Sequence, residues 1–220
     1  MVISILNEKG GSGKTTLAIN LAFKFSNEGL DMLLVDADPQ RSVETFMGFR
    51  ADSGFELPFS SISKVGSSLS KEIKNFIPKY DSIIIDTGGR DSNEMRQALL
   101  ISDLIIIPTI ASGYDQAVLN KMIELIKETT IMNEKIKALI VINRANPNPF
   151  LNKKIEDLKS YLESKDIGEN VKIAKTIIYE REIYKNVVFS GLGISELEEN
   201  NKAKKEIDSL YCDLLNFVKE

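Results

Sequence analysis

Five short runs of apolar residues stand out along the chain, and each is continuous rather than alternating with polar residues. A continuous run rich in Ile, Val and Leu is typical of a strand that is buried on both faces of a parallel sheet. The pattern therefore predicts five strands, at residues 2–6, 32–35, 82–86, 104–107 and 138–142.

Helical patterns lie between these runs. In residues 14–28, Leu17, Leu21 and Phe25 recur at four-residue steps, and Gly29 follows as a C-cap. Further helices are predicted at residues 92–101, 114–130, 150–164 and 198–218. A short strand is expected near 171–177 and another helix near 180–189. Strands that alternate with helices predict an α/β fold, with a predominantly parallel twisted sheet and helices on both faces.

Residues 48–70 are rich in Gly and Ser and show no clear period, so we expect a loop there with at most one short strand. We do not expect this stretch to be a domain linker, and the sequence contains no internal repeat. A chain of 220 residues is then expected to form one domain over residues 1–220.

Composition narrows the chemistry that the chain can perform. It has one cysteine, Cys212, and no histidine. These counts exclude a disulfide framework, His-based triads and zinc sites with His ligands, so proton transfer must use carboxylates, lysines or water. The net charge of −4 excludes DNA binding through bulk positive charge, although a local basic face is compatible with it.

The sequence has no apolar run of about 18 residues, so it predicts no transmembrane helix. Met1 leads directly into the first predicted strand, and we therefore expect no signal peptide. These features predict a cytoplasmic protein without stable membrane association.

The segment GGSGKTT, residues 10–16, follows the first strand and opens the first helix. Glycines allow the backbone to curl until its N–H groups point at phosphate oxygens, and the helix start adds its positive dipole end. The expected backbone donors are Gly10, Gly11, Ser12 and Gly13. Lys14 places a point charge between the outer phosphates, Thr15 offers its hydroxyl to Mg²⁺, and Thr16 is placed to bond an inner phosphate. The segment therefore predicts a P-loop NTPase fold.

The loop departs from the standard spacing at its start. Glu8 stands five residues before Gly13, where the standard pattern has a glycine, and a second lysine, Lys9, follows it. With K-G-G-S-G-K-T-T the chain resembles the deviant-Walker ATPases, the family that includes ParA partition proteins, MinD and the nitrogenase iron protein. The resemblance implies a homodimer with ATP at its interface, in which Lys9 of each subunit reaches the nucleotide of the other. Taken alone, Lys9 also fits a solvated loop lysine.

Carboxylates follow two other predicted strands. In VDADPQRS, the resemblance places Asp36 near the Mg²⁺ shell and implies that Asp38 positions or activates the attacking water. Taken alone, Asp38-Pro39 is more typical of a turn. Asp86 ends a buried strand, where a charge needs a partner, and Mg²⁺ through water is the expected one.

Two further segments concern the nucleotide. Gly88 and Gly89 are expected to form a loop that senses the γ-phosphate and moves on hydrolysis. In VINRANPNP, the resemblance implies adenine contacts by Asn143 and Arg144, although a polar turn ahead of Pro147 explains the same residues. All of these predicted sites follow the carboxyl ends of parallel strands, which is the edge where open α/β sheets bind ligands.

Within this family the chain is most similar to short plasmid ParA proteins that lack an N-terminal helix-turn-helix domain. A single cysteine argues against the branches that hold an iron–sulfur cluster, and the acidic last turns of the C-terminal helix argue against a MinD-like membrane anchor. The resemblance implies an ATPase that partitions or positions plasmid or chromosomal DNA. It further implies nonspecific DNA binding by the ATP-bound dimer at the nucleoid, and stimulation of hydrolysis by a ParB-like centromere-binding partner.

The segment YEREIYKN provides candidate DNA contacts in Arg181 and Lys185, although a solvated helix start fits the same residues. Two rival functions stay open. One is a MinD-like or other cargo-positioning ATPase that acts at a membrane or on a protein cargo. The other is a small-molecule ligase or kinase with a substrate pocket in residues 48–70 or 108–116, which leaves Lys9 without a role.

Overall fold

The computed structural model describes residues 1–220, apart from the side chain of Pro149. Seven strands of the described chain form one parallel sheet in the order β3-β2-β4-β1-β5-β6-β7. The strands are β1 Val2–Ile5, β2 Met32–Ala37, β3 Ser60–Ser63, β4 Ser82–Thr87, β5 Leu104–Thr109, β6 Lys137–Ala145 and β7 Val171–Tyr179. Ile5 pairs with Asp86 of β4 and with Ile106 of β5, so the central strands end together at one edge.

Helices cover both faces of this sheet, which confirms the predicted α/β architecture. Those in the described chain are α1 Lys14–Asn27, α2 Ser42–Asp52, α3 Leu69–Phe76, α4 Asn93–Ile101, α5 Gly113–Thr130, α6 Lys153–Glu163, α7 Ile183–Phe189 and α8 Lys202–Lys219. Helices α1, α2, α7 and α8 share one apolar core with Ile3, while α3 to α6 share the other with Val2. Strand residues face an apolar core on either side, so the strands are continuously apolar.

The prediction of a loop at residues 48–70 is wrong in part. Helix α2 extends through Asp52, β3 lies in the middle, and α3 begins at Leu69. The buried face of α2 includes a charged residue, Arg50, and the helix carries Gly48, so its apolar period is weak. Helix α3 is two turns long, with only Leu69 and Ile73 buried, too short for a period to stand out.

Other boundaries differ by a few residues. The last helix starts at Lys202 rather than at residue 198, because the Asn201 side chain accepts hydrogen bonds from the N–H groups of Ala203 and Lys204 and caps it. The helix expected near 180–189 starts at Ile183, because β7 continues to Tyr179. Among the described helices, none combines the length and the apolarity that a membrane crossing requires.

Candidate functional site

The glycine-rich loop of residues 10–13 joins β1 to α1 at the carboxyl edge of the sheet. Gly11 and Gly13 have φ values of +75° and +91°, left-handed conformations that glycine adopts without strain. A Cβ at Gly13 would lie 2.3 Å from the amide nitrogen of Asn143. Gly13 is also the N-cap of α1, and no side chain in the described structure caps it, so the first N–H groups of the helix are free for an anion.

Two residues at the end of β6 hold this loop. Asn143 donates a hydrogen bond from Nδ2 to the carbonyl oxygen of Ser12, at 2.7 Å. Arg144 donates from Nη1 to the carbonyl oxygen of Gly11 at 2.8 Å, and its Nη2 pairs with Glu180 at 2.7 Å. Both side chains therefore bind the backbone of the loop, and Arg144 also binds Glu180. Their contact with adenine stays a prediction.

The loop forms one wall of a cavity of about 870 Å³. The same cavity is lined by Asp38 after β2, by residues 88–90 after β4, by Asn143 and Arg144, and by side chains between Ile178 and Phe189. Cavities of this size hold small-molecule ligands and cofactors. The structure thus brings most of the predicted site residues around one volume.

Lys14 and Lys9 are linked, but their ammonium groups lie in different places. Lys14 is buried and donates from Nζ to the carbonyl oxygen of Lys9, at 3.0 Å. Burial lowers the pKa of Lys14, and the carboxylates of Asp86 and Asp38 oppose that shift. The Lys9 ammonium binds Asp115 at the start of α5, at 2.6 Å, and Lys9 is not among the described residues that line the cavity.

Asp86 is a buried carboxylate beneath the loop. Thr15 donates from its hydroxyl to Oδ2 of Asp86 at 2.6 Å, whereas Oδ1 is buried and meets no hydrogen-bond donor among the described atoms. Burial raises the pKa of Asp86 to about 7, against the opposing hydrogen bond from Thr15. A cation beside Oδ1 would supply the missing partner and restore the charged form.

Asp36 and Asp38 have different surroundings. The carboxylate of Asp36 is buried, which raises its pKa, and it accepts hydrogen bonds from the N–H groups of Asp38 and Glu44, each at 3.2 Å. It therefore caps the start of α2. Asp38 is half-buried and accepts from the N–H of Gln40 at 2.9 Å, so the turn expected here is present and its carboxylate still lines the cavity.

The loop of Gly88 and Gly89 lies against both the glycine-rich loop and Asp38. A Cβ on Gly89 would approach the Cα of Gly10 to 2.8 Å, and one on Gly88 would lie 3.3 Å from Oδ1 of Asp38. Any side chain at residue 89 would displace backbone of the glycine-rich loop. The two glycines thus allow direct contact between the ends of β1, β2 and β4.

Magnesium fits this corner of the cavity, although the protein does not supply a complete coordination shell. Across the side chains that the structure describes, no three or more Asp, Glu, His or Cys residues gather into a metal-binding group. Mg²⁺ takes about six oxygen ligands and usually keeps water and phosphate oxygens among them. The buried Oδ1 of Asp86, with the hydroxyl of Thr15 on its other oxygen, is the observation that fits such an ion.

The candidate DNA contacts lie at the far end of the cavity. Arg181 donates from Nε to Glu206 of α8 at 3.0 Å, and Lys185 pairs with Glu182 at 2.9 Å. The side chain of Arg181 is 23% exposed and that of Lys185 is 60% exposed. Lys185 is thus the more accessible of the two, and their contact with DNA stays a prediction.

Two residues that shape the site do not feature among the sequence predictions. Asn7 donates from Nδ2 to the carbonyl oxygen of Pro108 at 2.7 Å and accepts from the N–H of Lys9 at 2.8 Å. Asp115 stands three residues after the N-cap Ser112, a spacing typical of a capping box. That signal predicts a helix start, but it does not reveal that Asp115 lies against Lys9, 106 residues earlier.

Sequence comparison assigns this site to a family. The sequence profile described as the CobQ/CobB/MinD/ParA nucleotide binding domain matches residues 3–194. The chain belongs to the MinD/ParA family. The predicted resemblance is thereby confirmed, and members of this family are P-loop ATPases that act in partition or positioning.

Named MinD/ParA relatives match most of the chain. It is 25% identical over 218 residues to the maintenance of carboxysome distribution protein A of Halothiobacillus neapolitanus, covering 97% of this chain and 95% of that protein. It is 29% identical over 150 residues to the protein ParA of Rhizobium radiobacter, covering 66% and 65%. The septum site-determining protein MinD of Pyrococcus horikoshii, solved with Mg-ADP, superposes with a TM-score of 0.73 at 19% identity, covering 100% of this chain and 98% of that one. The last likeness confirms the fold.

We expect Asp86→Asn to stabilise the protein without nucleotide or Mg²⁺, by an amount that grows as pH rises from about 4 to about 7 and stays constant above that. The pKa of Asp86 is about 7 in the folded protein, against 3.8 for an unperturbed aspartate. The folded state therefore holds an extra proton between these limits, and wild-type stability falls as pH rises through them. The amide is neutral throughout and still accepts from Thr15. Urea unfolding should give a variant that is more stable by a few kcal/mol at pH 8 and equal to wild type near pH 4. A difference that does not change with pH would contradict this account of Asp86.

Proposed function

We propose that the chain is an ATP-dependent dimerising ATPase that partitions or positions cargo, with plasmid or chromosomal DNA as the first candidate. The observation that carries this proposal is the direction of Lys9. Its carbonyl oxygen faces Lys14 inside the site, while its ammonium lies at the start of α5, away from its own cavity. From this direction we infer that Lys9 serves a second subunit rather than its own loop.

The positions of the other residues, in the cavity wall or buried beside it, support the following roles. The phosphates are held by Gly10, Gly11, Ser12, Gly13, Lys14 and Thr16. Thr15 and Asp86 would hold Mg²⁺, with Asp36 close behind, and the ion would offset the negative charge of the phosphate oxygens. Asp38 orients the attacking water, because the carboxylate lines the cavity and no histidine exists to take that role.

The contribution of Lys9 is electrostatic. Two subunits that close face to face bring two triphosphates near each other, and a cation lent across the interface offsets their repulsion. The same cation stabilises charge that develops at the γ-phosphate, as an arginine finger does. Hydrolysis then requires two chains, and turnover is slow until assembly is complete.

Fewer observations bear on the cargo than on the nucleotide site. We propose that the ATP-bound dimer binds nonspecific DNA at the nucleoid through phosphate contacts, that Arg181 and Lys185 take part, and that a ParB-like partner stimulates hydrolysis. Support comes from the relative named ParA. Doubling the contacts matters because the net charge of one chain is −4 and a single copy would bind weakly.

A second candidate is the positioning of a protein cargo. It is favoured by one observation, the match over 97% of the chain to a protein named for maintaining carboxysome distribution. The two candidates share the ATP-dependent dimer and differ in the partner that it engages.

Lys9→Ala should reduce ATP turnover by about a thousandfold or more, because the charge lent to the neighbouring triphosphate is lost. Nucleotide binding by the monomer should stay close to wild type, since Lys9 does not line its own cavity. Lys14→Ala is the matched comparison, and there both binding and turnover should fall. Fluorescent nucleotide titration and phosphate release measure the two quantities. Turnover that survives Lys9→Ala would refute the dimer mechanism.

Binding to random duplex DNA should require ATP and weaken steeply with salt. The Asp38→Ala protein, blocked in hydrolysis, should bind more persistently than wild type. In that background Lys185→Ala should lower affinity and reduce the slope of log K against log salt by about one per chain. Lys71→Ala, an exposed lysine on the opposite face of the sheet, is the control and should leave the slope unchanged. Absence of ATP-dependent DNA binding in the Asp38→Ala protein would favour the protein-cargo candidate.

A further inference from the structure

Helix α5 holds the segment that precedes the glycine-rich loop through two ion pairs. The Lys9 ammonium binds Oδ2 of Asp115 at 2.6 Å, and the Glu8 carboxylate binds the Lys121 ammonium at 2.7 Å. Asp115 and Lys121 lie on the same helix. Neighbouring residues of opposite charge are therefore both tied to α5, before the chain turns into the loop.

Asp115 is the buried member of the first pair. Its side chain is 1% exposed, whereas that of Lys9 is 34% exposed. The hydroxyl of Ser112 also donates to Oδ2 of Asp115, while Oδ1 is buried and meets no donor within the described part of the chain. The carboxylate thus depends on Lys9 for charge compensation, because a buried ion whose partner leaves is strongly destabilised.

The backbone of Lys9 is held independently of its side chain. Its N–H donates to Oδ1 of Asn7, and its carbonyl oxygen accepts from the buried ammonium of Lys14. The side chain can leave Asp115 by rotation about its own bonds while the glycine-rich loop stays in place. The pair is therefore a contact with two states, one with Lys9 on Asp115 and one with Lys9 released.

We propose that Asp115 is a positioning residue that retains the Lys9 ammonium within its own subunit until a second copy of the chain presents the anionic phosphates of a bound nucleotide. This proposal rests on the proposed function, in which Lys9 acts across the dimer. A subunit without nucleotide offers no anion that compensates Lys9 for the loss of Asp115. The pair therefore makes productive assembly conditional on nucleotide, since a ligand shifts a two-state contact only through different affinities for the two states.

If Asp115 retains Lys9 in this way, it affects the assembly of the dimer rather than the chemical step. Replacing its charge should release Lys9 in the monomer and lower the protein concentration needed for dimers. Turnover within an assembled dimer should keep its wild-type rate constant, because the same ammonium reaches the same phosphates. A role in orienting Lys9 inside the dimer predicts the opposite, a lower rate constant with unchanged assembly.

The first test is the reactivity of the Lys9 amine in nucleotide-free protein. A small amine-acylating reagent, read out by peptide mass spectrometry, should label Lys9 about tenfold faster in Asp115→Asn than in wild type, with exposed Lys71 as the internal reference. Asp115→Glu keeps the charge and should restore slow labelling. Lys121→Gln breaks the neighbouring pair with Glu8 and should leave Lys9 labelling at the wild-type rate. Equal labelling of Lys9 in wild type and Asp115→Asn would overturn the proposal. If Asp115→Asn does not fold, the wild-type protein alone provides the test. Labelling of its Lys9 at the same rate as Lys71 would also overturn the proposal.

The second test is assembly. In the Asp38→Ala background with ATP and Mg²⁺, sedimentation velocity should show dimers of Asp115→Asn at about tenfold lower protein concentration than without this change. An unchanged dimerisation concentration, or a lower turnover rate constant in Asp115→Asn with Asp38 intact, would refute the proposal. If Lys9→Ala retains turnover, the proposed dimer mechanism fails, and the labelling result still decides whether Asp115 retains Lys9.

Discussion

The hydrogen bond from the Lys14 ammonium to the carbonyl oxygen of Lys9 is the contact on which the candidate site depends. It closes the loop between β1 and α1 into a ring of backbone around a buried cation. The carbonyl of Lys9 faces inward to Lys14, while its side chain binds Asp115 of α5. The two ammonium groups, five positions apart in the sequence, thus have different surroundings.

The candidate site also depends on the balance between its buried charged side chains. Asp36 and Asp86 are paired across β2 and β4 in register, and burial raises the pKa of both carboxyl groups. Lys14 is the cation buried among them, and burial lowers its pKa. Burial makes the charged form of each of these groups less favourable than it is in water. A bound phosphate with a divalent ion would compensate the charges of both the lysine and the carboxylates. Ligand binding and local stability are therefore linked.

The parts predicted from sequence are those whose signal is local. Continuous apolar runs identify the central strands because each is buried on both faces, and GGSGKTT identifies the loop because glycine spacing and strand–loop–helix order occur within a few residues. Helix α2 escapes prediction because its buried face contains Arg50, which is satisfied by Glu196 far along the chain. The contacts of Asp115 with Lys9 and of Asn143 with Ser12 could not be predicted for the same reason, because each joins residues more than a hundred positions apart. Residue type predicts the chemistry of these side chains, but only the fold determines their partners.

The central claim is that each chain lends Lys9 to a nucleotide held by its twin, and a mixture of two inactive variants tests it most directly. Lys9→Ala holds ATP but lends no charge, and Lys14→Ala lends Lys9 but cannot hold ATP. Mixed in equal amounts, they should recover turnover, and each mixed dimer should reach up to roughly half of the wild-type rate because one of its two sites is complete. A mixture that stays inactive, although both variants fold and co-sediment with each other, would contradict the account.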